Sequence, residues 1–475
     1  MEIGLLLLMG LIIAVFMFFK PFYGLILTFA VSQADFLVTL PKGISIGRLV
    51  ASFAVLGWMW QLLRHGRMGI QLKRLHLPKI VVPFLLVCAL GVVLHSPEQE
   101  NVLRVVTVAL LMVLSVMVED LVNTRKRLRL LILVVALSNV TLAILPVMSY
   151  FGVNVPGVEA SKVIEGAGGL RSQGITDNPN ELGLLLNMGI ALTTIILFQQ
   201  KTLFRALPLI GLIGIAVMGI VLSVSRTHYI VFISFVSLIM VLGFLGAKGG
   251  RMSFPIGVTV CFGVLAGLAI YFAPSQAMYR ASIFGSSEEA TTGHRITQMT
   301  IQHKAAIDLL GEYPILGVGL GKFRDYARGQ FNYIDAHDTI SAILGETGIL
   351  GALAWCAILW ACTRRLFSVL RANARKKDVE LYYVSMVLLA AFGSMLIGSI
   401  GGMVLLYSRL FWLTLGISVV LVNMGRFHMP EGTRSGAITS GFGKSGSAKP
   451  IKGVSVNYPP KGLNPIRRVP TRPLE

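Results

Sequence analysis

Three residues far apart in the chain carry chemistry that packing alone does not explain: Arg171, Arg226 and His337. Arg226 stands in GIVLSVSRTHYIVFISFV, where two apolar runs meet with almost no loop between them. A charge at the end of a membrane span is costly and usually lines a cavity, although an arginine can also snorkel to headgroups. Arg171 stands in EGAGGLRSQGITDNPNELGLLLN, ahead of a helix expected to start near Asn180 with Glu181 in its first turn. An arginine, free backbone N–H groups and a helix N-terminus together favour an anion; an ordinary capped loop is the plain alternative. His337 stands in YIDAHDTISAILGETGILGALAWC. Asp335 is expected to cap the following helix, which puts His337 in its first turn at the water–lipid boundary. Asp335 and Asp338 flank the imidazole and can orient it and raise its basicity. A histidine so placed can take the proton from an incoming hydroxyl.

Those three residues need membrane helices to position them. The chain has 475 residues, 55% of them hydrophobic and only 13% charged, with a mean hydropathy of +0.75. Soluble domains carry about a quarter charged residues, so lipid is the main solvent here. Thirteen spans are expected, within a range of twelve to fourteen: 2–19, 22–40, 44–63, 80–94, 103–118, 130–151, 181–198, 207–224, 229–247, 254–272, 345–362, 381–402 and 406–424. Each must be helical, because a backbone in hydrocarbon has to satisfy its own hydrogen bonds. The fold class is therefore all-α and polytopic. The N-terminal run, with Glu2 where a secretory signal has basic residues, is read as a retained span.

The net charge of +20 comes from 42 Lys and Arg against 22 Asp and Glu. Well over half of those bases fall on alternate connections, at Lys20, Arg64 to Lys79, Arg125 to Arg129, Lys201 and Arg205, Lys248 and Arg251, Arg364 to Lys377, and the C-terminal tail. The positive-inside rule puts these inside and accounts for the charge without nucleic acid. The expected layout is N-terminal spans over 1–151, an outer loop over 152–180, spans over 181–272, a large outer loop over 273–345, spans over 346–424, and a disordered basic tail over 425–475 that rests near anionic headgroups.

Cys88, Cys261, Cys356 and Cys362 are scattered through apolar runs without a CxxC pair, so they read as small buried hydrophobes rather than metal ligands or disulfides. In the large outer loop, Ile296, Met299, His303, Ile307 and Leu310 recur at helical spacing, which suggests an amphipathic surface helix with its Met and Ile as packing residues. Gly317, Gly319 and Gly321 look superficially like a nucleotide loop, but no strand precedes them and the segment faces outward.

Taken in order, GLRSQGITDNPNELG, LSVSRTHYIVF, HKAAIDLLGEYPILGVGLGKFRDY and AHDTISAILGETGILG resemble the O-antigen ligase and O-antigen polymerase family, bacterial polytopic glycosyltransferases of the GT-C type. The resemblance covers roughly 165–362. The family often has Asn after the histidine where this chain has Asp338. The resemblance implies a glycan donor on undecaprenyl diphosphate, no cofactor or metal, and an active site on the periplasmic face of a bacterial inner membrane. It implies that Arg171 and Arg226 hold the diphosphate and that His337, partnered by Asp338, activates the acceptor hydroxyl. Tyr313, Lys322 and Arg324 are weaker candidates for sugar or phosphate contacts. The acceptor is a second lipid-linked glycan for a polymerase, lipid A-core or another hydroxyl for a ligase, and a protein for an O-oligosaccharyltransferase. Inversion by a single displacement is expected. The rival reading is a polysaccharide flippase or other secondary transporter, which would need related halves and a midplane cavity.

Overall fold

Lipid-compatible helices dominate the structure, a computed structural model that describes residues 13–31, 39–40, 44–64, 74–153, 163–164, 169–170, 176, 179–246, 252–273, 289–331, 338–375, 378–400 and 405–427. Arg171, His337, most of the 152–180 loop and the basic tail beyond Phe427 lie outside the described residues. The N-terminal half contains α1 (Pro21–Val31), α2 (Ile46–Arg64), α3 (Pro78–His95), α4 (Gln99–Leu121), α5 (Arg125–Thr141) and its short continuation α6 (Ile144–Tyr150). The second half contains α7 (Pro179–Phe198), α8 (Leu203–Ser223), α9 (Arg226–Gly246), α10 (Ser253–Tyr271), α11 (Glu289–Glu312), α12 (Lys322–Phe331), α13 (Thr339–Arg375), α14 (Val379–Ser399) and α15 (Arg409–Phe427). Two antiparallel ladders of two residues each, Thr39–Leu40 with Ile44–Ser45 and Val163–Ile164 with Gly169–Leu170, are the only strands among the described residues.

Ten of the described helices are long and apolar enough to cross a membrane, and Pro21–Val31 and Arg409–Gly425 are shorter apolar helices. The protein is thus an all-α polytopic membrane protein. Of the expected span over 22–40, Pro21–Val31 is helix, residues 32–38 lie outside the described residues, and Thr39 pairs with Ser45 in a short ladder. The expected span over 345–362 belongs to a longer helix, α13, which starts at Thr339 and continues as helix through the basic Arg364–Arg375 segment.

Two helices form the middle of the bundle. α14 and α7 are hydrophobic on all sides and are the most buried spans, at 78% and 72% of their apolar windows. Helices of that kind belong inside a large protein rather than at its lipid surface. α9 and α13 pack on α14, and α5 and α8 pack on α7. An aromatic cluster joins α13, α14 and α15: the Trp355 ring stacks on Phe411 at 4.9 Å, and Phe392 stacks on Phe411 at 5.9 Å.

Polar clasps close the end where the basic segments lie. Arg125 pairs with Asp378 and Glu380, and Arg129 holds Glu380 at 2.6 Å. Four bases at the start of α5 oppose that helix's dipole, and the acids from the start of α14 offset this while favouring their own helix. Nearby, the buried Glu119 of α4 accepts the backbone N–H of His76 at 2.7 Å and of Leu77 at 2.9 Å, capping the start of α3. Of the cysteines, Cys88 and Cys362 are buried as expected, while Cys261 is half-buried and Cys356 exposed.

Candidate functional site

Antiparallel connections alternate along the chain, so the starts of α4, α7, α9 and α13 and the end of α3 share one end of the bundle, opposite the basic clasps. The candidate residues gather there in two groups.

The first group is built on the tight reversal between α8 and α9. Val224 adopts a left-handed conformation, φ +50°, which only a demanding turn imposes on a β-branched residue. It lets α9 begin with only two residues between it and α8, with Arg226 as its first residue, half-buried. Ser225 Oγ donates to Asn180 Oδ1 at 2.7 Å and ties the start of α9 to the start of α7. Two helix N-termini, each with partial positive charge, therefore meet where Arg226 opens α9. One turn deeper, His228 is fully buried, and Gly183 admits it: a Cβ at Gly183 would lie 2.3 Å from the His228 ring. Asn187 Nδ2 donates to His228 O at 3.4 Å and to Gly183 O at 2.9 Å. The sequence reading passed over His228, although a histidine two places after Arg226 inside a span was a visible signal. Arg171, whose place in this group was expected, lies outside the described residues; the ladder pairing Val163 with Leu170 ends just before it.

The second group surrounds the start of α13. Asp338, 2% exposed, accepts the backbone N–H groups of Ile340 at 3.0 Å and Ser341 at 2.9 Å, together with the Ser341 hydroxyl. It also faces His303 Nε2 of α11 at 3.5 Å. The expected cap was Asp335, with His337 in the first helical turn. Instead Asp338 is the cap, α13 starts at Thr339, and His337 immediately precedes the cap, itself outside the described residues. The physical reason is register: an N-cap carboxylate bonds the N–H groups two and three residues on, and for Ile340 and Ser341 that residue is Asp338.

The glycines that superficially look like a nucleotide loop dock onto a break in α13. Gly317, Gly319 and Gly321 all have positive φ, +67°, +95° and +96°, and Gly348 interrupts α13 with φ +61°. Across the break, Val318 N–H donates to Gly345 O at 3.0 Å, Gly319 N–H to Glu346 O at 3.0 Å, Ile349 N–H to Pro314 O at 2.9 Å and Leu350 N–H to Ile315 O at 3.2 Å. The turn supplies partners to backbone groups that the interrupted helix cannot pair. Glu346, 6% exposed within an apolar helix, completes the joint by accepting Gly321 N–H on Oε1 at 2.9 Å. Arg104 of α4, hydrogen-bonded to Glu100 at 2.7 Å, lies against Gly321: a Cβ there would come within 2.7 Å of Arg104 Cδ. Glu346 and Arg104 were assigned no role from sequence, although an acid inside an apolar run is a signal in itself.

The weaker candidates line this second group. The Tyr313 ring meets His95 edge-on at 4.9 Å. Lys322 Nζ sits 2.8 Å from Glu98 and 3.5 Å from Asp325; Glu98 pushes the ammonium above its ordinary range, and Lys322 holds the Glu98 carboxyl below its own. Arg324 is exposed on α12. The surface helix exists as α11: Gln302, Ala305, Ala306 and Leu309 form its protein-facing side, while His303 is exposed and Ile307 is 67% exposed. The small alanines allow close approach to the Phe323 ring, which leaves the bulkier Ile307 outward.

No curated protein matches the chain. Residues 211–356, from α8 through the glycine break of α13, match a family model described as O-Antigen ligase, covering Arg226, His337 and the docked turn but not Arg171. That segment of a multi-pass membrane protein is thus similar to the O-antigen ligase family, the family its motifs resemble.

Proposed function

We propose that the protein transfers a glycan from an undecaprenyl-diphosphate donor to an acceptor hydroxyl, at the end of the bundle where α7, α9 and α13 begin. That end faces the periplasm of a bacterial inner membrane. The observation that carries this reading is the meeting of two helix N-termini at Arg226, joined by the Ser225–Asn180 hydrogen bond. Such a place suits a diphosphate, because fixed N–H dipoles and a bidentate guanidinium strengthen as charge gathers on the leaving group.

The proposed reaction is one displacement. The acceptor oxygen attacks the anomeric carbon, the bond from that carbon to the diphosphate oxygen breaks, and His337 takes the acceptor's proton. Undecaprenyl diphosphate leaves with the electron pair, held by Arg226 and Arg171, and the anomeric configuration inverts. The donor is already activated, so the step calls for no metal and no covalent intermediate. Asp338 takes a positioning role here: its carboxylate is engaged by the helix start, which fixes the backbone beside His337. The resemblance and the matched family leave ligase and polymerase chemistry as variants on the same donor.

The test uses purified protein in liposomes with lipid-linked donor. Arg226→Lys keeps the charge and loses the fork, so transfer falls by about two orders of magnitude, a typical loss for one oxyanion-side donor, while insertion and thermal stability hold. Full transfer by that variant refutes the diphosphate role. His337→Ala abolishes transfer on this reading, and near-normal transfer refutes the base assignment. Donor alone separates the chemistries: longer lipid-linked chains mean a polymerase, and strict need of a second acceptor means a ligase.

A further inference from the structure

A cavity lies at the end of the bundle opposite the candidate site, between α3, α13 and α15, with a volume of about 450 Å³. Its polar side is formed by His76, Arg364 and Arg365, and none of the residues lining it is a carboxylate. Its other side is apolar, formed by Ile80, Val419 and Val422. Trp360 stands at the rim, 67% exposed, and shares a face of α13 with Arg364 and Ser368 at four-residue spacing. Glu119, the acid that contacts His76, accepts the His76 and Leu77 N–H groups and lies 3.2 Å from His76 Nδ1.

We infer that this cavity binds an anionic glycerophospholipid of the leaflet opposite the candidate transfer site. Its phosphate pairs with Arg364 and Arg365, and an acyl chain lies along Ile80, Val419 and Val422. The shape of the chemistry decides for a lipid over free phosphate. A phosphate ion would use only the guanidinium side, whereas the cavity joins two guanidiniums to an apolar wall and an interfacial tryptophan. Basic pockets between spans on the basic side of a bundle bind phosphate headgroups in this way, and arginine pairs bind phosphate bidentately. An interfacial tryptophan sits at headgroup level. The positive-inside bias alone would spread bases over this end without pairing them to a cavity, and the test separates the two.

The experiment is native mass spectrometry of the purified full-length protein, after exchange into lipid-free detergent and titration with phosphatidylglycerol, phosphatidylcholine or inorganic phosphate. It needs neither donor nor acceptor, so its outcome is independent of the transfer reading. The wild type is expected to retain one phosphatidylglycerol in preference to phosphatidylcholine, undisplaced by inorganic phosphate. The R364Q/R365Q variant should lose about thirtyfold in apparent affinity, following the contribution of each basic residue at an anionic surface. The control K201Q/R205Q removes the same charge from exposed residues at the same end and should leave retention unchanged. Val422→Trp fills the apolar side without touching charge, and should lower retention even if the arginine variant fails to fold. Equal loss in the control and R364Q/R365Q, unchanged retention in Val422→Trp, or displacement of the lipid by inorganic phosphate would each overturn the inference.

Discussion

Gly317→Ala tests whether the glycine turn is docked on the break in α13 as the geometry requires. A Cβ on Gly317 would lie 2.3 Å from Glu346 C, 2.4 Å from Thr347 N and 2.5 Å from Glu346 O. All three are backbone atoms, so no side chain can swing away. The residue also holds φ +67°, where a Cβ costs about 1–2 kcal/mol. Relieving the clash means withdrawing the turn and giving up at least two of its four hydrogen bonds to α13, each worth about 0.5–1.5 kcal/mol net. The expected destabilisation is therefore about 2–5 kcal/mol, in the range of the severe single substitutions. Gly311→Ala is the matched control: it lies inside α11 with nothing within 4 Å of a new Cβ. There alanine should be neutral or stabilising by about 0.5–1 kcal/mol through helix propensity. The assay follows the monodisperse fraction of detergent-solubilised protein on size exclusion after a heating ramp. Gly317→Ala should aggregate at a clearly lower temperature than wild type, and Gly311→Ala should not. Equal thermal resistance of the two variants would refute the docking argument.

Asp338→Ala should cost about 1 kcal/mol through loss of the α13 cap and should also lower transfer, whereas Asp338→Asn keeps a capping oxygen and should preserve both. A stable Asp338→Asn variant without activity would instead make the carboxylate's charge part of the chemistry. The Glu98–Lys322 pair predicts a pH dependence. Lys322 holds the Glu98 carboxyl below its ordinary range, so the pair's stabilisation is present at neutral pH and fades as pH falls through that depressed value. The difference in thermal resistance between wild type and Glu98→Gln should accordingly vanish in acid. A difference that persists there would rule the pair out as its source.

Much of the architecture was legible along the chain because its causes are local. A run of apolar residues in hydrocarbon has to be helical whatever its neighbours. Arg226 stood out for the same reason, as a charge whose position within an apolar run is costly on its own account.

What only the tertiary structure decided are pairings between residues far apart in sequence. Three glycines after α11 look superficially like a nucleotide loop, and nothing local says that they lie on a second glycine break at Gly348. Glu346 reads as an anomalous acid, and its use became clear only with Gly321 N–H 2.9 Å away. Both Asp335 and Asp338 have the chemistry of a cap, and the choice fell to where α13 first closes its hydrogen bonds. In α11, size rather than polarity chose the buried face, because Ala305 and Ala306 let Phe323 come close where Ile307 would not. Helix formation in lipid is settled residue by residue along the chain. Which surfaces then meet depends on shape and on partners for stray backbone groups, and those exist only once distant segments are in place.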